Sequence, residues 1–183
     1  MANATDKELI NEFRDPTSRN FAFSKLVNTF QERLYWHIRR IVIDHDDADD
    51  VLQNTFIKAF QNLHKFREDS QLFTWLYRIA TNEALTFLKK QKANIFVSLD
   101  DVSHALSSKL EADPELSGDA IQLKLQQAIL TLPTKQRLVF NMKYFDEMKY
   151  EEIAEVTGTS IGALKASYHH AVKKIEVFIK QQF

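Results

Sequence analysis

Cysteine is absent from this 183-residue chain, and glycine and proline number three each. Average usage would make those two residues together roughly 12% of a chain. Without thiols there are no disulfides, no thiol catalysis and no cysteine-based zinc sites, a pattern that fits a reducing cytoplasm. With so little glycine, tight β-turns and phosphate-cradling loops are hard to build, which argues against β-rich, Rossmann-type and P-loop proteins. No stretch approaches the roughly 18 consecutive apolar residues of a membrane span, and Met1–Asp6 lacks a basic-then-apolar leader pattern. Neither a helix with two spaced histidines nor a spaced Ser-His-Asp set appears, so no enzyme is expected, and neither a metal nor another cofactor.

What remains is rich in core-forming residues, with 44% hydrophobic and 27% charged content, enough for one sizeable core or two small ones. The formal net charge of −1 argues at first against a nucleic-acid partner. Divided along the chain, however, residues 1–93 carry +1, residues 94–120 carry −5 and residues 121–183 carry +3. The acidic middle piece, with Ser98, Ser103, Ser107, Ser108, Pro114 and Gly118, lacks a sustained helical period. It reads as a linker, with room for one short helix, between two neutral-to-basic domains.

Both flanks show apolar residues at three- and four-residue steps, which predicts helices over 5–14, 18–43, 47–66 and 71–92, then 120–131, 134–145, 149–157 and 160–180. Asp6, Asp47 and Ser70 are the expected N-caps of the first group, and Pro133 and Gly158 mark boundaries in the second. The expectation is an all-α protein of two small helical domains.

Three segments carry possible chemistry. The run DHDDADD over 44–50 fails as a calcium loop, because Asp49 and Thr55 stand where Gly and Glu are needed. Its aspartates suit the positive end of the next helix instead. On that helix Val51, Leu52, Phe56, Ala59, Phe60 and Leu63 point inward, while Asp50, Gln53, Ile57, Gln61 and His64 point away, a face suited to a protein contact. The helix over 71–92 sets Trp75, Arg78, Asn82, Thr86 and Lys89 in one ridge opposite Phe73, Leu76, Tyr77, Ala80, Ala84 and Phe87. An aromatic followed by cations and amides can stack on an unpaired base and hold a phosphate backbone, although a lone Trp is more often plain core.

Toward the C-terminus, YEEIAEVTGTSIGALKASYHHAVKKI has helix-turn-helix spacing. Gly158 falls at the turn, Ser160 can cap the second helix, and Gly162, Ala163, Ala166, His170 and Lys173 lie opposite the apolar stripe. Small residues early and cations later suit a helix entering a major groove, whereas the plainer reading is an amphipathic hairpin with a solvated basic face. His169 and His170 diverge by about 100° on the helix and cannot chelate one ion.

Taken together, DADDVLQNTFIKAF, TWLYRIATNEALTFLKK and LPTKQRLVFNMKYFDEMKYEEIAEVTGTSIGALKASYHHAVKKI resemble, in order and spacing, the sigma factors of bacterial RNA polymerase, in the small extracytoplasmic-function (ECF) group of the sigma-70 family. The resemblance spans nearly the whole chain. It implies a region 2 domain over 1–93, an acidic linker over 94–120 and a region 4 helix-turn-helix domain over 121–183. It further implies that Asp49, Asp50, Gln53 and Ile57 dock on the clamp helices of the polymerase β′ subunit. The −10 promoter element would be read and melted by Lys65, Phe66, Arg67 and Ser70 together with Trp75, Arg78, Asn82 and Lys89. The −35 element would be met by Ser160, Gly162, Lys165, Ser167, His170 and Lys173, with the β flap contacting the same domain and the linker threading toward the RNA exit path. An anti-sigma factor, often membrane-bound in this family, is the further partner implied.

The chain departs from that pattern in two places. Primary sigma factors carry two adjacent aromatics where this chain has Trp75-Leu76, which leaves fewer stacking wedges. Many relatives have Arg where Ser167 and His170 stand, which removes bidentate guanidinium forks. The rival reading is a stand-alone helix-turn-helix regulator whose N-terminal domain senses a ligand or dimerises, binding operators without polymerase.

Overall fold

The computed structural model describes residues 4–67, 69–94 and 120–181. Among them all regular structure is helical. Four helices precede the acidic segment: α1 (Ala4–Arg14), α2 (Arg19–Val42), α3 (His45–Asn62) and α4 (Leu72–Asn94), with one 3₁₀ turn over Leu63–Lys65. Four follow it: α5 (Ala120–Leu130), α6 (Thr134–Tyr144), α7 (Tyr150–Thr157) and α8 (Ile161–Gln181). Apart from its two end residues, the expected linker lies outside the described residues.

The all-α expectation holds, and the helix limits fall close to those read from periodicity. The caps differ. Helix α3 begins two residues early because Asp44, in extended backbone, accepts the Asp47 N–H at 3.1 Å. Asp47 therefore lies inside the first turn, where its charge still opposes the positive helix end. Asp6 is no N-cap of α1 either. It sits within the first turn, buried, and accepts the Leu72 N–H at 3.2 Å, so it caps α4 from a distant part of the chain. Ser70 precedes α4 without that role.

The first four helices pack around Ile10, Leu26, Leu34, Ile38, Leu63, Leu72 and Leu76. Phe60, expected inward, is 38% exposed, because Phe13 and Phe23 hold its ring edge-on at 5.5 and 5.0 Å near the surface. The last four helices have a smaller core of Ala128, Ile129, Leu132, Phe140, Ala171 and Ile175.

The two helical groups are not separate bodies. One continuous cluster of buried apolar side chains runs from the first group into Leu138, Val139, Met142, Met148, Ile153, Val156 and Leu164 of the second. A small satellite core joins Ile43 to Leu130. Ile43 holds φ of +71° between α2 and α3, a strained value for a β-branched residue, and is kept there by burial.

Polar contacts cross the same boundary. His37 of α2 is fully buried, with Nδ1 at 2.8 Å from Asp146 Oδ2 and Nε2 at 2.9 Å from Thr81 Oγ1. Arg40 Nη1 donates to the other oxygen of Asp146 at 3.1 Å, and Asn141 Nδ2 donates to the Arg40 carbonyl at 3.4 Å. Local periodicity gives no sign of this set, because the contacts that cross the boundary join residues 101 to 109 positions apart.

Candidate nucleic-acid and polymerase interfaces

Helix α3 presents the surface expected from its periodicity. Its buried residues are Ala48, Val51, Thr55 and Ala59, which leaves Asp49, Asp50, Gln53 and Ile57 outside. Asp49 shares an i,i+4 contact with His45 at 3.6 Å, and the Tyr35 hydroxyl lies 2.6 Å from the other ring nitrogen of His45. Ile57 is 49% exposed with no polar function to satisfy, so covering it by another protein is favourable.

Helix α4 is buried along more of its circumference than one amphipathic stripe allows. Leu72, Thr74, Leu76, Tyr77, Ala80, Thr81, Ala84 and Leu88 are all buried, because α2 and α3 pack on one side and α7 on another. What stays open is one ridge: Arg78, Asn82, Thr86 and Lys89 are exposed and Trp75 is half-buried at its N-terminal end. The Trp75 ring rests against Phe66 at 5.5 Å. Phe66 is itself only 5% exposed, so it supports the indole from below and does not lie on the surface with Lys65 and Arg67. Ser70 is half-buried beside them.

Trp75 separates two clefts. One, of about 450 Å³, is lined by Lys65, Arg67, Asp69, Ser70 and Arg78 together with Glu155 of α7. The other, of about 380 Å³, is lined by Asn62, Ile79, Asn82 and the Lys58–Glu83 ion pair that ties α3 to α4. An indole between two clefts with cations at the rim is the geometry that accepts a flat unpaired base next to a phosphate.

In the helix-turn-helix pair, Gly158 takes φ of +67° and closes α7 with its N–H on the Ala154 carbonyl at 2.8 Å, the left-handed cap that glycine adopts without strain. Helix α7 opens with Glu152 reaching back to the Lys149 N–H at 2.7 Å. Ser160 Oγ accepts the Ala163 N–H at 3.4 Å, which marks the start of α8 and leaves its O–H free to donate. Leu164, Ala171 and Ile175 are buried, while Gly162, Ala163, Lys165, Ala166, His170 and Lys173 are exposed along the outer side. Ser167 is half-buried and falls off that open face. A side chain at Gly162 would meet no atom within 4 Å, so packing does not require glycine there. Among the described residues no cluster of His, Asp and Glu could hold a metal ion, and no helix is long and apolar enough to cross a membrane.

One helical group thus carries an aromatic-cationic ridge and the other a helix-turn-helix, two surfaces suited to nucleic acid. The family model of sigma-70 region 2 matches residues 26–94 and that of sigma-70 region 4 matches residues 122–175. The ECF RNA polymerase sigma factor SigW of Bacillus subtilis is 33% identical over 156 residues, covering 81% of this chain and 83% of that one. The chain therefore belongs to the extracytoplasmic-function group of RNA polymerase sigma factors.

Two solved structures share the fold. CnrH in complex with the cytosolic domain of CnrY superposes with a TM-score of 0.72 at 22% identity, covering 97% of this chain and 99% of that one. The sigma factor RpoE in complex with the anti-sigma factor NepR from Bartonella quintana gives 0.68 at 20%, over 86% and 96%. The region 2 match accounts for the first helical group as part of a sigma factor, so a separate ligand-sensing domain on a stand-alone regulator is not favoured.

Proposed function

We propose that this sigma factor works without catalysis or cofactor of its own, in the cytoplasm, as the promoter-reading subunit of RNA polymerase. Its parts are a region 2 domain over 1–93, a linker over 94–120 and a region 4 domain over 121–183. The outer face of α3, with Asp49, Asp50, Gln53 and Ile57, docks on the β′ clamp helices, and the region 4 domain meets the β flap. Lys65, Arg67, Ser70, Arg78, Asn82 and Lys89 hold the −10 strand while Trp75 stacks on an unpaired base, with Phe66 as its support. Gly162, Lys165, His170 and Lys173 lie against the −35 element, and Ser160 orders the start of their helix. Ser167, half-buried, contributes less than its neighbours.

The observation that carries this reading is the ridge of α4. A helix covered on its other sides keeps open a line of indole, guanidinium, amide and ammonium groups flanked by two clefts. Purified chain added to core polymerase should start transcription at its promoter, and Trp75→Ala or Arg78→Ala should reduce open-complex formation while core binding is kept. Full promoter opening by both variants would refute the assignment. By analogy with RpoE in complex with NepR, an anti-sigma factor is the second protein partner, and the family resemblance extends this to a membrane-bound one. Co-purification of such a protein with the chain from its own cells tests that part.

A further inference from the structure

We propose that Tyr35 and His45 are positioning residues for core binding, which orient the Asp49 carboxylate on the outer face of α3 before polymerase arrives. The inference deepens the reading of that face as the polymerase contact and rests on it.

His45 is the first residue of α3, and His45, Asp49, Gln53 and Ile57 follow one another at steps of four. Side chains so spaced form a single line along a helix. All four are exposed. The docking line therefore begins one turn before Asp49, at an imidazole.

That imidazole is the middle of three connected groups. The Tyr35 hydroxyl of α2 lies 2.6 Å from Nδ1, and Nε2 lies 3.6 Å from Asp49 Oδ2. With the phenol O–H donating to Nδ1, the ring proton sits on Nε2 and faces the carboxylate. The second link is longer than a hydrogen bond, so it biases the Asp49 rotamer electrostatically and leaves both oxygens open to a partner. Tyr35 is a firm support: it is half-buried, and its ring meets Trp36 edge-on at 5.4 Å and the His45 ring at 5.9 Å.

Folding gains little from this set. The His45 and Asp49 side chains are 59% and 58% exposed, and water screens a pair so open. Binding gains more, because a carboxylate already oriented loses less rotamer freedom on contact. The charge around it names the group it meets. Asp46, Asp49 and Asp50 are exposed on this end of α3, and the helix holds no Lys or Arg before Lys58. The complement is a lysine or arginine on the polymerase surface.

The test titrates the full chain onto purified core polymerase and follows urea unfolding in parallel. Tyr35→Phe, which keeps the ring, and His45→Ala should each weaken core affinity about three- to tenfold, the range of one lost polar link. Their urea midpoints should stay close to that of the parent. Asp49→Asn should weaken core binding at least as much. The deciding chain carries Tyr35→Phe and Asp49→Asn together. It should bind core no worse than Asp49→Asn alone, because Tyr35 acts through the carboxylate. Additive losses would overturn the proposal, as would full affinity in Tyr35→Phe and His45→Ala. Full affinity in Asp49→Asn beside a loss in Ile57→Glu would overturn it too, with the docking face left standing. If Ile57→Glu also binds core normally, it is the docking face itself that fails.

Discussion

The Asp6 carboxylate, in the first turn of α1, accepts the backbone N–H of Leu72 that opens α4, across 66 residues of sequence. The bond anchors the N-terminal end of the ridge helix just ahead of Trp75. Replacing Asp6 by Ala leaves that donor unpaired in a buried position and should lower stability by about 1–2 kcal/mol, the range of a lost helix cap. Asp6→Asn, which keeps an acceptor, should lose less. Urea unfolding of the three chains measures the order.

Ile57→Glu places a charge at the centre of the exposed face of α3. Because the position is half open to solvent, folding stability should change by no more than about 0.5 kcal/mol. Binding to core polymerase should be abolished in co-elution experiments. Retained core binding would move the docking face elsewhere on the chain.

Gly162 and Lys173 separate close approach from charge on α8. Gly162→Ala meets no neighbouring atom and removes the flexibility of glycine from a helix, so it should stabilise the fold by about 0.5 kcal/mol. It should at the same time weaken −35 binding, if the backbone needs to come near the groove wall. Lys173→Ala should weaken promoter binding across sequences and reduce the salt slope by roughly 0.9, the share of one neutralised phosphate. Holoenzyme titrations on promoter DNA at several salt concentrations read both effects.

Tyr77 supplies a pH dependence. Burial, and next the nearby charge of Asp146, push its phenol well above the ordinary tyrosine range. The neutral phenol is therefore favoured in the fold. Its contribution is complete below the unfolded value of about 10 and is lost as pH rises through the folded one. Tyr77→Phe keeps the ring against His37 at 4.5 Å and Phe73 at 4.3 Å but gives up the long hydrogen bond to the Arg33 carbonyl. Its stability should accordingly fall less steeply than that of the parent above about pH 10. Parallel slopes in chemical denaturation at rising pH would show that Tyr77 does not report the alkaline loss.

Periodicity placed most helix limits within two residues, whereas α3 ends at Asn62, four residues short of expectation, where the chain tightens into the 3₁₀ turn. The outer face of α3 and the open side of α8 followed from the same rotation and are exposed where expected. Chemistry that depends on distant partners was not legible. Asp6 looked like a local cap because aspartate near a helix start usually is one, and nothing nearby names Leu72. Phe66 was expected among the −10 contacts, yet it is buried and its ring lies against Trp75. The acidic run hid its true cap in Asp44, since four later aspartates are equally plausible. Charge partition along the chain pointed to two domains and a linker but carried no sign of their shared packing, in which Ile153 and Val156 serve the helix-turn-helix and the joint core alike.

That joint core bears on how hybrid proteins could be assembled from this family. Leu138, Val139, Met142, Met148 and Val156 complete packing that begins in the first four helices. A chimera that joins those helices to the C-terminal half of a relative inherits a mismatched seam, with voids or collisions where the two halves meet. Exchange of promoter specificity by grafting would then succeed more readily when only the outer residues of α8 are transplanted than when the entire half is exchanged.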